Sequence, residues 1–409
     1  MLRARLAKRL FPLYIAVFLQ GCVLWYAVEK LFMRKIGFDD AGIGIMVAFY
    51  SAIMLLVETP SGVLADRWSR KGVLIIASVL LAASSLVGGL SQGIPMYLFA
   101  AALWGTFFAL YSGAYDSILY DTMLEEAGNS DEYERYYGYV KVWDGVALVF
   151  GSLTGGFIAS KFGISEAYFL MVPIALSAIA ALVIFKEPQL HKASAKTGVV
   201  QHTRDTFRAV MRKGQLLYVL AVLVVMSAIS YTLFEFAQLW WIALVFPVVA
   251  FGPANAALLS TIGLGGALAS KLKMHRYVPM QLTVVAMLAA SLTLVFWRNG
   301  IVNVAAQSVI GVGTIGLCVV YTKFLHDALP SKVRAGASSA VSSLTRVIMI
   351  PLSLLFGFIS READVFRATW LFAALFVVVL VLVFKLYAGK HELTPVTTMD
   401  EELAQEYRK

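Results

Sequence analysis

The chain reads as an all-α membrane protein of twelve transmembrane helices arranged as two six-helix bundles. Three observations predict this. Of its 409 residues, 60% are hydrophobic and only 14% charged, whereas soluble domains are about a quarter charged. Twelve apolar segments each approach the length of about 20 residues that a bilayer core requires. A polar stretch, 186–214, divides six of them from the other six. The formal charge of +9 falls at the segment boundaries, which suits lipid headgroups and not nucleic acid. Cys22 and Cys318 both lie inside apolar segments, so no disulfide framework is implied.

Arg3, Arg5, Lys8 and Arg9 precede an apolar run too long for a cleaved signal, and this run is read as a retained first span. The spans of the first bundle (1–185) are 12–33, 42–65, 73–92, 96–123, 139–159 and 167–185. Those of the second bundle (215–388) are 216–240, 248–268, 280–297, 302–324, 335–359 and 365–386. With the N-terminus inside, 24 Lys and Arg fall on the cytoplasmic side and 7 on the other. That bias places both termini in the cytoplasm of a bacterial inner-membrane protein. Within the linker 186–214, Phe207, Val210 and Met211 share one helical face and Arg204, Arg208 and Arg212 recur every fourth residue. This pattern suits a short helix lying on anionic headgroups, or equally a solvated linker helix. The tail 389–409 is charged and expected to be disordered.

Between the second and third spans runs Gly62-Val63-Leu64-Ala65-Asp66-Arg67-Trp68-Ser69-Arg70-Lys71-Gly72, one acid and three bases within six residues. The string resembles the signature loop of the major facilitator superfamily, G-x-x-x-D-R-x-G-R-K, with Ser69 where that family has glycine. The resemblance implies a secondary transporter working by alternating access, with its first and seventh helices lining a central cavity. It further implies that Asp66 caps a helix of the other half and that Arg67, Arg70 and Lys71 pair with an acid ending span four, here Asp121. Gly62, Asp66, Arg67, Arg70, Lys71 and Asp121, with Arg334 after span ten, are the expected gate. In span five, Gly151-Ser152-Leu153-Thr154-Gly155-Gly156 resembles the antiporter signature G-P-x-x-G-G of proton-coupled exporters, with Ser152 replacing proline. Gly263, Gly265 and Gly266 of span eight offer it a facing surface of small residues.

The two halves echo each other, as transporter repeats do. Trp25-Tyr26-Ala27-Val28-Glu29 in span one matches Tyr231-Thr232-Leu233-Phe234-Glu235 in span seven, each with an aromatic one turn before a lone glutamate. Ionisable side chains inside spans are costly, so each is a functional candidate. On a helix, Cys22, Trp25, Tyr26 and Glu29 share a face, as do Tyr231, Thr232, Glu235 and Gln238. A carboxylate in a partly dry cavity can exchange protons near neutral pH, which makes Glu29 and Glu235 candidates for proton or substrate handling. Asp116 in span four, beside Tyr111 and Tyr115, is a third. Asp144 in span five is expected to meet Lys141 or loop water. Arg346 and Glu58 lie at depths that suggest a pair bridging the halves in one state, with an anionic substrate as the alternative partner of Arg346. Trp25, Tyr26, Tyr115, Tyr231 and Trp240 are candidate aromatic contacts for an amphipathic molecule.

The expected function is proton-coupled export of an amphipathic small molecule, a drug or metabolite, with protons, substrate and bilayer as partners and a monomer as working unit. Uptake of a nutrient or organic anion keeps the fold and reverses the flow. A non-transporting sensor or scaffold would call for large extramembrane elements, and only the linker and tail are sizeable. No G-x-x-x-x-G-K-[ST] string, metal-ligand histidine spacing or nucleophile elbow occurs, so neither ATP-driven transport, a metal, a cofactor nor an enzyme activity is expected.

Overall fold

The computed structural model describes residues 2–127, 133–188, 214–327 and 331–387. The proposed linker helix and the tail 389–409 lie outside the described residues. Among the described residues twelve helices are long and apolar enough to cross a membrane. Several are apolar on nearly every face, as expected of helices surrounded by lipid and other helices. Exposed side chains such as Phe157, Val183, Ile184, Val381 and Phe384 cover their outer surfaces.

Span one differs from the sequence expectation of a continuous helix. It comprises the helix Leu2–Gly21, a 3-10 segment Leu24–Val28, and a second helix Glu29–Lys35. Span two is Asp40–Arg67, span three Arg70–Leu90, span four Ile94–Ala127, span five Tyr133–Lys161 and span six Ile164–Ile184. Asp39 starts span two by accepting the Gly42 backbone N–H at 2.6 Å. Ser69 starts span three by accepting that of Gly72 at 2.8 Å. The side chain at the signature loop's divergent position is therefore a helix cap, a role serine fills well and glycine fills without a side-chain bond.

Spans seven to ten are Gly214–Ala243, Val248–Lys271, Tyr277–Phe296 and Gly300–Asp327. Span eleven is Ser331–Glu362, and span twelve is split into Val365–Ala368 and Trp370–Tyr387. The tight turn between spans seven and eight runs through Val245 at φ 55°.

The described residues form two compact units. The first contains spans one to six together with Trp241–Ser260, which holds the turn after span seven and the start of span eight; the second contains the rest of the described chain. In the first unit, span three packs against spans four and six, and span two against span four. In the second, span nine packs against spans ten and twelve, and span eight approaches span ten closely. There a Cβ on Gly265 would stand 2.8 Å from the Val312 carbonyl oxygen.

Candidate functional site

The break in span one organises the first unit. Val23 takes up an extended conformation at ψ 98°, and the carbonyl of Leu24 is directed at span five. A Cβ on Gly155 would lie 1.7 Å from that carbonyl oxygen, and one on Gly151 would lie 3.0 Å from the carbonyl carbon of Cys22. Only glycine at these positions admits the unwound backbone. Gly151 and Gly155 of span five therefore serve span one. Gly265 packs on span ten, and a Cβ on Gly263 or Gly266 would meet nothing within 4 Å. The remaining glycine of the string, Gly156, meets Gly252 at the start of span eight. Ser152 accepts a hydrogen bond from buried Asn255 at 2.9 Å.

The 3-10 turn also overturns the expectation that Cys22, Trp25, Tyr26 and Glu29 share a helical face. Trp25 is buried, stacked on Tyr168 with centroids 5.1 Å apart, and donates its indole N–H to Ser85 Oγ at 3.0 Å. Tyr26 is half-buried, its ring 6.4 Å from that of Trp25. Glu29 opens the following helix, where a negative charge is favoured by the helix dipole. It is not a lone glutamate: Lys30 Nζ donates to Glu29 Oε2 at 2.5 Å, and the Tyr97 hydroxyl donates to Oε1 at 3.0 Å. Tyr97 and Tyr168 hydroxyls lie 2.9 Å apart. Side-chain exposures of 1% for Lys30 and 7% for Glu29 make this a buried ion pair. Beside it Trp25, Ser84, Tyr97, Trp104 and Tyr168 enclose a space with room for about one water molecule.

A second charged cluster lies on spans four and five. Lys141 Nζ stands 3.9 Å from Asp116 Oδ1, with side-chain exposures of 52% and 41%, and 4.8 Å from the Tyr137 ring centroid. Asp144 accepts the Tyr111 hydroxyl at 2.9 Å and also feels the charge of Lys141, the partner expected from the sequence. Rings climb span four from this point. Tyr115 packs 5.1 Å from Tyr111, Tyr111 lies 6.3 Å from Phe108, and Phe108 lies 6.1 Å from Trp104. Tyr111, Phe108 and Trp104 are half-buried. Tyr115 is buried and donates its hydroxyl to Gln20 at 2.5 Å, while Gln20 donates to Ser78 at 2.6 Å.

At the end of the unit where the chain begins, Arg70 pairs with Asp121, the acid expected from the signature loop, and also donates to the Ser117 carbonyl. Lys71 donates its ammonium to the Phe185 carbonyl at 3.1 Å. Glu187 accepts from the Ser69 hydroxyl at 2.7 Å and from the Lys71 backbone N–H at 3.0 Å. Arg9 bridges Glu125 and Glu126 at 2.9 and 2.7 Å. Sequence reading missed the Arg9 and Glu187 contacts. Gly62, Asp66 and Arg67 lie on the last turns of span two and Arg334 on the first turn of span eleven, with side chains outside the described residues.

Glu58 is half-buried on span two, and Arg346 is half-buried on span eleven. In the second unit Glu235 is buried while Tyr231, one turn earlier, is 45% exposed. Trp240 does not face an open cavity. It is fully buried, 5.6 Å from Phe356 and 6.2 Å from Phe372 between ring centroids. Among the described residues no group of histidines, cysteines or acids has the arrangement of a metal site.

The sequence model of the Major Facilitator Superfamily matches residues 10–354. Among curated relatives, "Multidrug resistance protein 2" of Bacillus subtilis (strain 168) is 27% identical over 196 residues, covering 46% of this chain and 47% of that protein. The chain spans about half the length, or less, of the curated relatives it matches. Among solved structures, the nucleoside transporter NupG has TM-score 0.73 and 16% identity, covering 92% of this chain and 98% of its own. A D-xylose-proton symporter has TM-score 0.72 and 14% identity, covering 95% and 99%. At these identities the structural likeness concerns the fold.

Proposed function

The chain belongs to the Major Facilitator Superfamily, and from this membrane-transporter fold we propose that it exports an amphipathic small molecule in exchange for protons, by alternating access. We assign the export site to the half-exposed face of span four. The observation that carries this reading is the cluster of Asp116, Asp144 and Lys141 at the foot of the aromatic ladder Tyr111, Phe108 and Trp104. Two carboxylates beside one ammonium leave one negative charge, which either a proton or a cationic substrate can neutralise. Rings above it supply apolar and cation–π contact to such a molecule. Competition between proton and substrate for one charge is the minimal requirement of an antiporter.

The similarity to a multidrug resistance protein supports export, and the charge bias supports an inner-membrane protein with both termini in the cytoplasm. Glu29 is better suited to a structural part, since Lys30 already balances its charge. The Arg70–Asp121 pair suits the gate, which opens when such contacts between helix ends are broken.

The test uses everted vesicles holding an acid-inside pH gradient, screened with cationic, neutral and anionic compounds. Export against protons gives compound-driven collapse of the gradient with cationic amphipathic compounds. Asp116→Asn reduces that response at least ~10-fold, the scale of removing one charged binding partner. Counterflow with organic anions, unaffected by Asp116→Asn, would refute the assignment and favour uptake.

A further inference from the structure

Spans nine and twelve of the second unit meet at one end through a tyrosine joint. Tyr387 donates its hydroxyl to the His275 carbonyl at 2.7 Å, and its ring packs 5.2 Å from that of Tyr277. Beside this joint the two helices carry an open surface groove lined by Tyr277, Val278, Gln281, Leu282, Val381 and Phe384. Val278, Leu282, Val381 and Phe384 are exposed apolar side chains, 48–65% accessible.

Bases neighbour the groove-lining residues in sequence. Lys271 ends span eight, Lys273 and Arg276 occupy the turn leading into span nine, and Lys385 follows Phe384 directly; all four are exposed. No acid occurs in 271–285 or in 365–387. An apolar trough running along two membrane helices, closed at one end by a tyrosine and adjoined in sequence by cations, matches one kind of molecule. It must carry a long apolar chain and a negative group at the membrane surface. A second copy of the chain fits poorly, because a two-fold contact between parallel copies would bring the two basic rims to the same end.

We propose that this groove binds an anionic phospholipid, with an acyl chain along Val278, Leu282, Val381 and Phe384 and its phosphate against Lys273, Arg276 and Lys385. Basic pockets between membrane helices recognise acidic headgroups in this way, each base near the surface adding to the attraction. The site is separate from the charged cluster of spans four and five, and it stands whether or not that cluster is the transport site.

The full chain, purified in detergent, is equilibrated with mixed micelles holding equal dioleoyl-phosphatidylglycerol and dioleoyl-phosphatidylcholine, and retained lipid is read by native mass spectrometry. Phosphatidylglycerol is retained preferentially. The triple variant K273Q/R276Q/K385Q loses that lipid by at least ~10-fold, whereas K8Q/K35Q/K161Q, with the same change in net charge at other exposed positions, retains it. Leu282→Trp, which fills the trough and leaves the rim intact, also lowers retention. Equal retention of the two lipids, equal loss in both triple variants, or a dimer that Leu282→Trp dissociates would each overturn the proposal.

Discussion

Replacing Lys30 by methionine removes the ammonium and keeps most of the side-chain volume. Glu29 then stays buried at 7% exposure with the Tyr97 hydroxyl still donating to it but without its adjacent cation. Breaking one partner of a buried ion pair costs about 3–5 kcal/mol, because the remaining charge has lost its counter-charge. Glu29→Gln leaves Lys30 in the same position and costs a similar amount. The double variant E29Q/K30M buries no charge, and the introduced amide oxygen still accepts from Tyr97. Apolar or neutral replacements of whole buried pairs are often near neutral, so the double variant is expected within about 1–2 kcal/mol of the parent. The resulting coupling of at least ~4 kcal/mol is large for a contact pair.

Denaturant or thermal unfolding of the purified protein measures all four members of the cycle. The same four proteins are then assayed for compound-driven proton movement. If Glu29 holds the broken span together, the double variant recovers stability and transport together. Additive single effects would refute the buried-pair assignment. A stable double variant devoid of transport would make Glu29 a proton carrier and refute its structural role.

Gly155→Ala sets a Cβ against the Leu24 carbonyl and is expected to cost about 3 kcal/mol or more, at or above the upper range of overpacking. Gly145→Ala on the same helix meets nothing within 4 Å and is expected to be neutral or stabilising by up to about 1 kcal/mol; apparent melting midpoints distinguish them. Ser69→Ala removes the cap of span three and its bond to Glu187, at a cost of about 1 kcal/mol, while Ser69→Gly costs a few tenths for the cap itself. Equal midpoints for Ser69→Ala and the parent would show that the cap contributes nothing.

Much of this protein is written locally. Span number and span length follow from apolar runs, because a bilayer imposes a length on any helix that crosses it. The Arg70–Asp121 pair was legible because the signature loop carries its charges in a short, recognisable string. Lys30 passed unnoticed although it adjoins Glu29, since a base near the end of an apolar run reads as an interfacial residue.

Tertiary structure decided which charges meet and which aromatics remain accessible. Trp25, Tyr115 and Trp240 look like cavity residues in sequence and are packed inside their units, because burial depends on neighbouring helices and not on depth along one. The break in span one has no proline to announce it. It exists because Gly151 and Gly155, about 130 residues further along the chain, leave space for a carbonyl that an intact helix would have kept bonded. Helical periodicity describes one element at a time, and this feature is a property of two.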